Sequence, residues 1–150
     1  KGSTQNRIPA GKLKNGGTSA AVLSELVKRL IEHLGQWCIE KVILSKQPDF
    51  IEKNQIILDT DKVGNIVLRY WKAGDRFSPR GINGSKKLAR VMRDLHISAG
   101  ERRIWPLVAD ENHIYWIAFL RGSNYGLPDK NTKKYLLITL KKENREDEES

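Results

Sequence analysis

One cysteine, one methionine and three histidines are all that this 150-residue chain holds of the side chains that favour soft metals. Cys38 alone cannot close an internal disulfide or build a thiolate site, and His33, His96 and His113 have no ligand-like spacing with it or with each other. No metal centre is expected. Long apolar runs are also missing. Nothing approaches the roughly 18 to 20 residues that a membrane helix needs, and the opening "KGSTQNRIPAGKLKNGG" is basic without the apolar core of a signal peptide. No membrane partner is therefore expected, and a reducing cytoplasm is the default location. Acid is absent from the first 18 residues, which carry Lys1, Arg7, Lys12, Lys14 and four glycines. Such a lead cannot bury enough surface to offset chain ordering.

What is abundant is positive charge. The net value is +9, and residues 69 to 103 hold ten basic side chains against three acidic ones. The ten are Arg69, Lys72, Arg76, Arg80, Lys86, Lys87, Arg90, Arg93, Arg102 and Arg103. A solubility surplus would be scattered, whereas a cluster builds a local potential that attracts a polyanion. Solvated faces of a basic protein are the plainer alternative.

The chain divides by pattern into a flexible basic lead (1–18), a helical linker or packing segment (19–54), a folded domain (55–140) and a charged tail (141–150). Val22, Leu23, Leu26, Val27, Leu30, Ile31 and Leu34 recur at helical spacing between Ser19 and Gly35, which predicts an amphipathic helix. "QWCIEKVIL" reads either as more helix or as a buried strand. "QIILD" and "NIVLRYW" read as strands joined by "TDKVG". "SKKLARVMRDL" places Leu88, Val91, Met92 and Leu95 on one stripe, with Ser85 as a natural N-cap. Ser98 and Glu101 have capping-box spacing. "WPLVAD", "HIYWIAFL" and "KKYLLITL" add strands. The class is α+β: a β-rich layered domain with about five or six strands and two main helices.

"GDRFSPRGINGSKKL", residues 74–88, is either a loose surface connection or a surface shaped to meet phosphate. Gly74, Gly81 and Gly84 permit close backbone approach and Pro79 stiffens the middle. The run leads into a predicted helix N-terminus, where Lys86 and Lys87 would add full charges to free N–H groups. The spacing fails the Walker pattern, and no G-x-G-x-x-G follows a strand. Several separated cations suit a polyanion backbone better than a mononucleotide. Catalytic constellations are thin, and no catalytic residue is assigned. Asp59 and Asp61 read as turn-forming or salt-bridging acids, His96 as a partly buried helix-end residue, and Tyr70, Trp71, Trp105 and Trp116 as core residues that could instead stack on bases.

The run from "IILDTDKVGNIVLRYW" through "VADENHIYWI" resembles the C-terminal domain of the tRNA(Ile)-lysidine synthetase family. The match is position by position at Gly74, Asp75, Arg76, Phe77, Pro79, Gly81, Gly84, Lys86, Lys87, Leu88, Arg102 and Pro106. It covers roughly residues 55 to 140 and loosens after Ala118, where "FLRGSNYGLPDKNTKK" replaces a Gly-x-Arg-Ile stretch.

The resemblance implies an enzyme that uses ATP to ligate lysine to the wobble cytidine of tRNA, with this region gripping the acceptor stem. It also implies a fold related to a domain of the phenylalanyl-tRNA synthetase β chain. The family's ATP loop, Ser-Gly-Gly-x-Asp-Ser, has no match here; "GGTSAA" at Gly16 lacks the Asp. The chain is thus expected to be a fragment or stand-alone relative without cofactors of its own, ATP and magnesium belonging to a catalytic domain that would be its partner. A non-catalytic interaction or spacer module with a basic surface is the alternative.

Overall fold

The structure, a computed structural model, describes residues 30–143. The basic lead, the first part of the expected helix (19–29) and residues 144–150 of the expected tail lie outside the described residues.

Strands β1 (Leu30–Leu34), β2 (Trp37–Leu44), β3 (Gln55–Asp59) and β10 (Tyr135–Lys142) form one antiparallel sheet in the order β1-β2-β10-β3. Leu30–Leu34 is therefore strand, not the end of a helix. Leu34 pairs with Trp37 across a tight turn in which Gly35 has φ +59°, and Glu32 faces inward to meet Lys41. "QWCIEKVIL" is also strand, and Lys141 and Lys142, expected in the tail, close β10. Because β10 pairs with both β2 and β3, the segments on either side of residue 54 share one sheet.

A second sheet, in the order β4-β7-β8-β9, is made of β4 (Val67–Arg69), β7 (Leu107–Ala109), β8 (Ile114–Ile117) and β9 (Arg121–Gly122). Its two central strands are buried at every position, which alternation alone would not produce. On one face Val108, Tyr115 and Trp116 pack with Ile39, Leu58, Ile138 and Leu140 of the first sheet. On the other, Leu107, Ala109, Ile114 and Ile117 meet Phe77, Leu88, Val91 and Met92. Burying each such large side chain stabilises by roughly 1.5–3 kcal/mol. Two cores therefore share one sheet, and the layers run sheet, sheet, helix. A register shift between Val108 and Ala109 accommodates the change of partner.

The third layer holds α1 (Leu88–Asp94), α2 (Ala99–Arg102) and a small ribbon of β5 (Arg76–Phe77) with β6 (Lys86–Lys87). The expected stripe is there: Leu88, Val91 and Met92 are buried. The α1 stop uses His96 at φ +69°, whose N–H bonds the Arg93 carbonyl while Ile97 N–H bonds that of Met92. That is a Schellman ending with histidine where glycine is usual, so His96 is the helix-end residue expected, but exposed rather than partly buried. Ser98 and Glu101 form the expected capping box.

Candidate nucleic-acid interface

The glycine-rich loop is shaped rather than loose. Gly74, Gly81 and Gly84 all have φ between +82° and +93°, which L side chains rarely adopt. Arg69 holds the loop's entrance with two hydrogen bonds to Asp75, at 2.9 and 3.1 Å, and Lys72 N–H donates to the same carboxylate at 2.9 Å. Midway, Asn124 accepts from Gly81 N–H and donates to the carbonyls of Pro79 and Ile82, each at 2.9 Å. Pro79 is buried and bridges to Ser123.

At the loop's end one expectation fails. Ser85 does not cap a helix: its hydroxyl accepts from Arg76 Nε at 2.8 Å, and its carbonyl accepts from the other end of the same guanidinium at 3.0 Å. Lys86 and Lys87 lie on strand β6, opposite Phe77 and Arg76. Helix α1 starts only at Leu88, spans seven residues, and its first N–H already bonds the Asp75 carbonyl at 2.8 Å. A helix-dipole anion site is therefore absent from this junction. What the junction offers instead is side-chain charge.

Arg76, Ser85, Lys86, Lys87 and Arg90 line one depression of about 490 Å³. All five are exposed, and the side chains of Lys86, Lys87 and Arg90 have no ion-pair or hydrogen-bond partner among the described residues. The buried stripe of α1 explains Arg90: with Leu88, Val91 and Met92 turned inward, residues 90 and 93 face out.

The other expected cations lie apart from that depression. Arg69 is tied to Asp75. Arg80 lies over Gly122, so close that a Cβ at 122 would come within 2.9 Å of its guanidinium. Arg102 is half-buried over the Trp71 ring at 5.4 Å. Lys72, Arg93 and Arg103 are exposed. Trp116 is core, and Trp105 donates to the Ala118 carbonyl at 3.0 Å. Asp59 caps the 3-10 turn Thr60–Lys62 and bonds Thr132, as a turn-forming acid should.

Sequence reasoning overlooked a second cavity, of about 350 Å³, that shares Arg76 and Ser85 with the basic depression. His113 and Tyr125 stack beside it with ring centroids 3.7 Å apart. The hub beneath is Asp110, which accepts from the N–H groups of Gly64, Asn112 and His113 and from the Tyr115 hydroxyl. Burial pushes the Asp110 carboxyl up, but these four donors together outweigh it and hold the pKa below its ordinary value. Burial and the same carboxylate push the Tyr115 phenol well up. Only the turn-like run Glu111-Asn112-His113 after Asp110 hinted at this turn in the sequence.

Among the described residues no helix is long and apolar enough to cross a membrane, and no group of three or more His, Cys, Asp or Glu is placed to hold a metal.

The layering and the two short helices define the class. The fold is that of a solved structure described as the TilS C-terminal domain, matched with a TM-score of 0.65. At 23% identity, over 77% of this chain and 92% of that one, that likeness shows the fold. The sequence is more particular. Residues 66–138 match the family described as "TilS substrate C-terminal domain". The chain is 40% identical over 115 residues to tRNA(Ile)-lysidine synthase of Caldanaerobacter subterraneus subsp. tengcongensis, covering 75% of this chain and 25% of the relative. It is 42% identical over 86 residues to that of Clostridium tetani, covering 57% and 18%. The chain belongs, through residues 66–138, to the family of tRNA(Ile)-lysidine synthase C-terminal domains. It spans a quarter or less of the length of these relatives.

Proposed function

We propose that this domain grips tRNA, at the acceptor stem, for a synthase that uses ATP to join lysine to the wobble cytidine of tRNA(Ile). The observation that carries the reading is the depression where Arg76, Lys86, Lys87 and Arg90 converge with no acid among its lining residues. Four cations on one exposed surface suit successive phosphates, because polyanion affinity is built from many such contacts. Lys72, Arg80, Arg93 and Arg103, all exposed, extend the positive field, while the half-buried Arg69 and Arg102 shape the surface from behind. Gly74, Pro79, Gly81 and Gly84 give the loop its course. No residue of this chain is assigned a catalytic role; ATP and magnesium would bind the catalytic domain of the synthase, the domain's second partner.

The test compares Lys86→Ala with Lys87→Ala, made together, against Lys133→Ala with Lys134→Ala, which removes equal charge from exposed lysines elsewhere. The first pair is expected to lose about 1–3 kcal/mol of tRNA affinity, as for charge-assisted bonds to phosphate, with the melting curve unchanged. The control pair should lose distinctly less. Neutralising about four phosphates gives a log–log salt slope of roughly −3 to −3.5 for the unmodified chain. Equal losses in both pairs, or a slope near zero, would remove the depression as the binding surface.

A further inference from the structure

We propose that the cavity beside the basic depression receives one unpaired nucleotide of the bound RNA, its base stacking on the Tyr125–His113 pair. The inference rests on the RNA-gripping reading and names what that surface adds to phosphate contacts. Three observations carry it. The cavity, at about 350 Å³, is the size of a small-ligand site. It shares a wall with the basic depression: the Arg76 side chain, fixed by its two bonds to Ser85, faces both. A strand whose phosphates lie along Arg76, Lys86 and Lys87 therefore has its next base at the cavity mouth.

The third observation is the ring pair. Tyr125 is 39% exposed, yet it is held against His113 at 3.7 Å with the planes 17° apart. His113 is in turn placed edge-on to the buried Tyr115 and has its own N–H anchored on Asp110. An exposed aromatic so firmly positioned is a stacking platform, and single-stranded nucleic acids are held on such platforms with little regard to sequence. Glu111 and Asn112, at the same rim, offer acceptor and amide groups to a base edge. A fully paired stem gives the platform nothing to stack on. An RNA end or bulge does.

Two RNA hairpins of the same stem, each closed by a non-nucleotide linker so that no loop base is unpaired, distinguish the possibilities, one blunt and one extended by a single unpaired 3′ adenosine, each titrated against the chain by fluorescence anisotropy. The unpaired nucleotide is expected to tighten binding about fivefold or more, the gain from stacking one base. Tyr125→Ala should abolish that gain and leave the blunt hairpin's affinity as it was, while Tyr125→Phe, which keeps the ring and gives up only a 3.4 Å contact to Ser78, should retain it. The Lys86→Ala, Lys87→Ala double variant should weaken both hairpins and preserve the gain. Equal binding of the two hairpins by the unmodified chain, a comparison needing no variant to fold, would overturn the cavity's role and leave the basic depression standing. Failure of both hairpins to bind would overturn the gripping surface, and the cavity with it.

Discussion

The ten cations of residues 69–103 separate into those that look inward and those that look outward, and the two groups do different work. Arg69 and Arg102 face the fold: one closes a bidentate pair with an Asp75 side chain only 8% exposed, the other lies over Trp71. Arg76, Lys86, Lys87 and Arg90 face solvent around one depression. The inward pair shapes the chain on which the outward set stands. What each cation meets in the fold decides the division: Arg69 has the Asp75 carboxylate and Arg102 the Trp71 ring, while the side chains of Lys86, Lys87 and Arg90 have no partner among the described residues and stand free for the ligand we propose. A local charge surplus in a sequence thus overstates the binding surface by the number of cations the fold keeps for itself.

The largest effect that would break this division is Asp75→Ala. It removes three acceptor contacts and leaves Arg69 half-buried without its partner, at an expected cost of about 2–3 kcal/mol of folding stability. Chemical denaturation reads it, and a loss under a few tenths would show the pair to be ornamental.

A smaller, sharper contrast sets Arg69→Ala against Arg76→Ala. The first should cost on the order of 2 kcal/mol in stability with little change in RNA affinity per folded molecule. The second should cost about 1–3 kcal/mol in affinity and nearly nothing in stability, since among the described residues its side chain bonds only exposed Ser85. Melting curves and titrations on the same preparations check both, and the reverse pattern would sink the distinction.

The smallest expected effect extends the contrast to acids. Asp110 is an inward group whose folded-state pKa is depressed, so the stability it contributes is present above the ordinary carboxylate range and lost as pH falls below about 4. Asp110→Asn should flatten the acid limb of a stability-against-pH curve. An Asp129→Asn control should leave that limb nearly intact, since Asp129, though also depressed, is exposed and its ion pair with Lys62 is screened by solvent.

How much of this could be read from residues depends on the reach of each interaction. Strand β3, the α1 stripe and the Ser98–Glu101 box were legible because their determinants lie within a few positions. Strand β1 was not: Leu30, Ile31 and Leu34 fit a helical stripe, and only pairing with β2, plus an inward Glu32 to answer the buried Lys41, makes them extended. Local preference yields there to a long-range partner. Ser85 misled for a similar reason, since its hydroxyl was claimed by Arg76, nine residues earlier. The basic depression could be guessed as a cluster but not sorted, because the glycine that makes room for Arg80 sits at position 122. The His113–Tyr125 stack, twelve residues apart in sequence, left no local mark at all.

Asn124 has a consequence for time rather than energy. With one amide it bonds Gly81, Pro79 and Ile82, and its backbone N–H bonds the Ser78 carbonyl at 2.9 Å, so the middle of the glycine loop is templated by a residue from the far side of the second sheet. A loop held this way has its course before any ligand arrives. Encounter and fit then coincide, and association should proceed in a single phase whose rate rises as salt is lowered, with no slower step in which the loop finds its shape.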